Sequence, residues 1–280
     1  MTTKASVRDW LPLAREAKAA APPPSGEAFR PEWFDLEHGI RVGNLEPHER
    51  ITQILKGHLE GTYRTPFITD RWGRGVFWQW ICWLPKANRA AKPLSSKVNF
   101  GCAKLFVTLD RKQEAVRAGL QVERGYADPP EPYPGCLLQP DWDWHRLVEQ
   151  CRDGSALDRE LSRLIHREGF VAEAGDWEAN AVFAGAGYRS PRQIREVLER
   201  SPRRQWVGFQ LYYAMPLAEV RRGSGLDAVR ALCAAFDEVV PAMNACMQVP
   251  LLPVAVTTEA EEETGLGGPA GTFRRRQSAP

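Results

Sequence analysis

Between Val76 and Leu84 the chain reads VFWQWICWL, and no other stretch limits the fold so tightly. The run is too short and too aromatic for a helix of a globular protein, so it predicts a buried strand. Three further segments have strand character: 99–109, 118–124 and 205–213. In the first, Leu105, Val107 and Leu109 alternate with Lys104, Phe106 and Thr108. In the second, Leu120 and Val122 oppose Gln121 and Glu123, and in the third, Val207, Phe209 and Leu211 oppose Trp206, Gln210 and Tyr212. Doubly covered parallel strands read as continuous apolar runs, whereas alternation with one polar face marks an antiparallel sheet. The expected fold class is therefore α+β: a mainly antiparallel sheet covered by helices, mostly on one face.

Helical stripes fill the rest. Residues 5–19 predict a short helix stopped by Pro22, Pro23 and Pro24, followed by irregular chain that Trp33, Phe34 and Leu36 anchor to the body. Glu46-Pro47-His48-Glu49 opens a helix with Ile51, Ile54, Leu55 and Leu59 on one side. Trp144, Leu147, Val148 and Cys151 share another face, with Asp141 or Asp143 as the candidate N-cap. After Asp153-Gly154, Leu157, Leu161, Leu164 and Ile165 form a third stripe. Ser190-Pro191 starts a helix reaching about Arg200. A long core helix follows, marked by Leu226, Val229, Leu232, Phe236, Val239 and Met243, with a kink expected at Pro241. The expected domains are an N-terminal extension over 1–60, a main α+β domain over 61–256 and a disordered tail over 257–280.

Composition narrows the function. A net charge of +2 on 280 residues gives no global electrostatic case for nucleic acid, so any such case is local. No window approaches a membrane span, and the N-terminus lacks a hydrophobic signal core, which points to the cytoplasm. The cysteines at 82, 102, 136, 151, 233 and 246 have no CxxC spacing and no adjacent histidine, so they read as reduced core thiols, and no metal or cofactor is expected. The phosphate loop GxxxxGK[ST], the zinc motif HExxH and the elbow GxSxG are missing. Gly185-Ala186-Gly187 lacks the strong strand that a dinucleotide fingerprint follows. His145, near a helix start, reads as a surface or capping side chain. Asp110 and Glu123 echo the strand-borne acids of metal nucleases, but Gly125 stands where the following lysine belongs. The chain therefore reads as a binding or accessory protein rather than an enzyme.

Two features stand above that background. Segment 61–104 sets Arg64, Arg71, Arg74, Lys86, Arg89, Lys92, Lys97 and Lys104 against the single acid Asp70, and interleaves Tyr63, Phe67, Trp72, Phe77, Trp78, Trp80 and Trp83. Cations neutralise phosphates and aromatic faces stack on bases, so this is the composition of a single-strand nucleic-acid surface. Its candidate contacts are Arg71, Trp72, Arg74, Lys86, Arg89, Lys92 and Lys97. The bland reading is an aromatic core with a solvated cationic rim. The second feature is the polar sheet face. If the four strands join, it collects Gln79, Lys104, Gln121, Glu123, Gln210 and Tyr212, a set of amides, charges and an aromatic that suits a small ligand or nucleoside. The bland reading there is a solvent face with a Lys104–Glu123 cross-strand pair.

The order of features resembles a widespread bacterial family known only as a domain of unknown function. A basic segment from Lys92 to Lys97 runs into the strand Phe100–Leu109. A glycine-led strand, Ala118-Gly119-Leu120-Gln121, leads to the helical stretch DWDWHRLVEQCRDGSALDRELSRL. Near the end, the strand Trp206–Tyr213 passes through Met215-Pro216-Leu217 to LDAVRALCAAFDEVVPAMNAC. The resemblance covers about residues 64–247. It implies an α+β fold and a cytoplasmic location, and it transfers no site residue.

Overall fold

The computed structural model describes residues 25–92, 99, 101–128, 131, 142–176 and 180–252. Nine strands form one antiparallel sheet: β1 Phe34–Asp35, β2 Gly39–Arg41, β3 Phe67–Arg74, β4 Phe77–Pro85, β5 Lys104–Asp110, β6 Ala115–Gly125, β7 Val171–Asp176, β8 Asn180–Phe183 and β9 Val207–Pro216. Their order is β1-β2-β4-β5-β6-β9-β7-β8, with β3 on the other side of β4. The expected strands lie together: β5 is paired to β6, and β6 to β9. Residues 99 and 101–103, expected to extend β5, lie outside it, and Phe100 is outside the described residues.

Helices cover one face. They are α1 Ile51–Tyr63, α2 Lys86–Ala90, α3 Asp143–Gln150, α4 Ala156–His166, α5 Pro191–Arg200, α6 Leu217–Val220 and α7 Gly225–Cys246. The apolar strand positions Leu105, Val107, Leu120, Val122, Phe209 and Leu211 pack with α1, α3, α4, α5 and α7 into one core. Trp83 links the layers. Its ring lies 5.7 Å from that of Phe236 on α7, and its Nε1 donates to the Thr52 carbonyl of α1 at 3.1 Å. The bond satisfies the indole N–H that burial would otherwise strand. The smaller apolar cluster on the second face, Cys82, Leu84, Cys102, Phe106 and Tyr212, takes no side chain from any helix.

Local chemistry sets the helix starts. Ser190 and Ser224 each form a reciprocal capping box, with Gln193 and Asp227 respectively, and Ser155 accepts from the Asp158 N–H. Helix α7 continues through Pro241. Asp143 is not a cap. It is the first residue of α3, where Trp142 is the N-cap without a side-chain bond. Asp141, the helix over 5–19, Lys97, Cys136 and the tail over 257–280 lie outside the described residues.

Sequence reading missed five strands. β1 and β2 bring residues 34–41 into the sheet beside β4, so this part of the N-terminal segment is built into the main body. β3 carries Asp70, Arg71, Gly73 and Arg74, and β7 is rich in alanine, glycine and acid, all poor strand signals, while β8 has only four residues. Between β3 and β4, Trp72 faces Trp80 but Gly73 faces Trp78, so Gln79 is an extra residue in the ladder. Gly73 is required there. Its φ is 152°, and a Cβ would lie 2.6 Å from the Cα of Trp78.

The carboxylate of Asp143 is fully buried and tied to four donors. Lys92 Nζ reaches one oxygen at 2.9 Å, as does the Gln248 N–H at 3.1 Å. Asn88 Nδ2 and the Ala103 N–H reach the other, each at 2.7 Å. Removing one partner of a buried pair strands the other charge. Asp143→Ala is accordingly expected to lower stability by about 3–5 kcal/mol, read from the urea midpoint at constant slope. A cost of about 0–1 kcal/mol, typical of an exposed pair, would show the cluster to be dispensable.

Candidate nucleic-acid interface

Pairing registers place side chains in rows across the second face. One row runs Trp72, Trp80, Thr108, Arg117 and Ala214. The next is Asp70, Cys82, Phe106, Gly119, Tyr212 and Val171. A third is Lys104, Gln121, Gln210, Glu173 and Val182. Gly119 admits the second row because a Cβ there would run into the Leu211 carbonyl and the Cα of Tyr212. The basic aromatic segment and the polar sheet face are thus two ends of one surface.

The polar end is closed by its own hydrogen bonds. Lys104 Nζ sits 2.5 Å from Glu123, whose other oxygen accepts from Trp206 Nε1 at 2.8 Å. Gln121 Oε1 accepts from Trp80 Nε1 at 2.8 Å and from Gln210 Nε2 at 3.0 Å. Tyr212 donates to Glu173 at 2.5 Å, and Asn180 donates to the same carboxylate at 2.9 Å. Arg117 bridges Glu173, at 3.0 Å, and Asp110, and lies 4.3 Å from the Tyr212 ring centroid. Burial opposes the charge on Lys104, which is 2% exposed, but the Glu123 carboxylate outweighs it and raises the lysine pKa. Burial likewise pushes up the Tyr212 hydroxyl, with Glu173 adding to it, and burial pushes up the Cys82 thiol, which stays protonated.

Lys104, Gln121, Glu123, Gln210 and Tyr212 are therefore gathered as the alternation implies. Gln79 is not. It has the parity of Ile81 and Trp83, which face the helix-side core, and its amide donates to the His38 carbonyl at 2.7 Å and meets Arg111 at 3.3 Å. Trp206 joins on the face its alternation with Gln210 and Tyr212 gave it, and Trp80, Arg117 and Glu173 join the set unannounced. Arg117 has the parity of Gln121 and Glu123 and could have been found by extending that strand; Glu173 could not, because β7 gives no strand signal. Gly175 faces Gly208 across the ladder, and the shallow recess there, lined by Glu173, Asp176, Asn180 and Gln210, has no room even for a water molecule. Ligand pockets commonly span roughly 300–1,000 Å³, so this recess is not one as it stands.

At the other end the basic residues separate. Trp72 is 69% exposed, and Arg74 and Lys86 are exposed. Arg71 is exposed on the opposite face of β3, with its guanidinium 4.0 Å from the Trp78 ring centroid. Arg89 is half-buried, and its Nε donates to Asn99 at 2.9 Å. Lys92 is withdrawn from the interface. Its side chain is wholly buried against Asp143 and Asn88, where no phosphate can reach it. Among the described residues no group of histidines, cysteines and acids is arranged to hold a metal, and no helix is long and apolar enough to cross a membrane.

No family model, curated protein or solved structure matches this chain.

The buried pair gives a test with a defined sign. Because the Lys104 pKa is raised, its stabilisation is fully present below the unfolded value of 10.5 and is lost as pH rises through the folded value. Lys104→Met alone is expected to cost about 3–5 kcal/mol. Adding Glu123→Gln, which keeps an acceptor for Trp206, should recover more than half of that. Wild-type stability should also fall more steeply above pH 10.5 than that of the double variant. Urea titrations across that range check both, and a double variant no better than the single one contradicts the pairing.

Proposed function

We propose that this protein is a non-catalytic binding protein that engages single-stranded nucleic acid at the β3–β4 end of the second face. One observation carries the reading: Trp72, largely in solvent, stands directly across the ladder from Trp80. The Lys104 ammonium lies 5.5 Å from the Trp80 ring centroid. Two adjacent indoles on the side of the sheet away from the helices are a stacking platform for bases, with each stack worth about 1–3 kcal/mol. Arg74 and Lys86, left in solvent, supply charge for the backbone, whereas Arg71 lies on the other face of β3. The carboxylates at the far end are already paired to Lys104 and Arg117, which limits their repulsion of a strand lying nearby.

A second reading is a small-ligand or nucleoside site at the recess between Gly175 and Gly208. It requires Gln210, Glu173 and Asn180 to leave their present hydrogen bonds and open a space that is closed as it stands, so it ranks below the open platform. Competition by free nucleosides separates the two. They displace a ligand held in the recess and leave an extended strand bound through several contacts.

The test is anisotropy with labelled single-stranded RNA and DNA at two salt concentrations. Trp72→Ala is expected to weaken binding by roughly 5- to 150-fold, the equivalent of one lost stack. Arg74→Ala and Lys86→Ala should each reduce the slope of log affinity against log salt by about 0.7. Affinity no better than that of a neutral control protein, or an unchanged affinity in Trp72→Ala, would sink the proposal.

A further inference from the structure

Three strands, β1, β3 and β8, pair on one side only, and β1 has just two residues; the two longer edges are treated differently. β3 ends it with Asp70, Arg71 and Arg74 and a bulge at its partner, the usual devices that stop another strand from adding. β8 ends it with Asn180-Ala181-Val182-Phe183, which has no charge, no proline and no bulge. β8 pairs only with β7, and among the described residues no strand lies on its outer side. Val182 is 58% exposed on the second face, one of three large apolar side chains so exposed among the described residues.

The helix side of the same edge is hollow. A groove of about 680 Å³ runs between β8 and α5. Ala181, Phe183 and Val197 form its apolar floor, and Glu196 and Arg200 stand on its rim. An open strand edge accepts an extended strand, whose backbone completes the ladder while alternate side chains enter the groove. An unguarded edge beside such a groove is a surface meant to be covered.

We infer that β8 is the contact between two copies of this chain, joined antiparallel about a two-fold axis into one continuous sheet. Self-complementarity selects this occupant over a foreign peptide. The exposed charges of the groove are one acid and one base, Glu196 and Arg200, 3.5 Å apart along α5, while the third charged lining residue, Asp176, is buried. A two-fold operator reverses the second helix, so acid meets base from each side, whereas an acidic or basic peptide would leave one of them facing like charge. Paired strands keep side chains of the same parity on the same face. Val182 then meets Val182 of the second copy near the axis, and Ala181 meets Phe183. A ladder this short buries less than the roughly 1,200 Å² of a stable interface, so the dimer dissociates on dilution.

Light scattering after size-exclusion chromatography, over a dilution series of the full chain, reads the mass directly. Wild type is expected to move from dimer toward monomer on dilution. Val182→Lys sets two like charges on the axis and should be monomeric throughout with an unchanged circular dichroism spectrum. Trp72→Lys at the opposite edge should dimerise as wild type does. Opposed residues in antiparallel strands have Cα atoms about 4.5–5.5 Å apart, within disulfide range. Val182→Cys in a Cys136→Ser background should therefore cross-link to itself on mild oxidation. A wild type that is monomeric at every concentration, or a Val182→Lys variant that dimerises as well as wild type, overturns the inference.

Discussion

Four donors converge on the carboxylate of Asp143, and the arrangement of the chain around the sheet depends on them. Each oxygen takes two bonds, so all the acceptor capacity of the group is used. The donors come from α2, from the loop after it, from the residue before β5 and from the segment after α7. Asn88 extends the junction by accepting from Lys92 at 3.0 Å and from the Val249 N–H at 3.1 Å. No single hydrophobic contact could impose such registry, because apolar surfaces slide and hydrogen bonds to a buried charge do not. The junction fixes where β5 enters the sheet, where α3 starts and where the chain leaves α7.

The same logic explains how a sheet face can be both polar and buried. Lys104, Glu123, Gln121, Gln210, Tyr212, Glu173 and Arg117 lie on neighbouring strands, and each finds a partner across the ladder rather than from solvent. Charges kept inside without partners would be expelled or neutralised. Such a network adds little net stability over an apolar replacement, but a register slip of one residue would break every pair in it at once. Its contribution is to hold β5, β6, β9 and β7 in one alignment, which in turn sets Trp80 beneath Lys104 and beside Trp72.

How much of this was legible depended on the type of signal. Period-two alternation marked β5, β6 and β9 and placed Lys104, Gln121, Glu123, Gln210 and Tyr212 on one face, because a pleated strand allows no other assignment. Serine-led starts marked α5 in the same way. The misassignment of Gln79 came from the choice of face: it shares the parity of Trp83, which packs against Phe236 in the helix-side core, and a strand apolar on both sides does not reveal which side that is. Lys92 looked like any lysine of a basic loop; its burial is decided by Asp143, far away in sequence. Asp143 itself resembled a helix cap because capping and buried pairing ask for the same residue beside the same helix start. Glu173 stayed hidden in β7, where alanine and glycine give no strand signal.

The order of strands has a consequence for the chain while it is being made. β6 is hydrogen-bonded along most of its length to β9, which lies at Val207–Pro216, after α3, α4, α5, β7 and β8. During synthesis the strands up to β6 can assemble, but the far edge of β6 then waits for its partner. At translation speeds of roughly 5–20 residues per second, the delay is on the order of ten seconds. Through that interval a nascent half-sheet presents an open edge with Val116, Ala118, Leu120 and Val122 still uncovered on one side, so the ribosome-bound chain is at its most vulnerable to misassociation midway through its own translation.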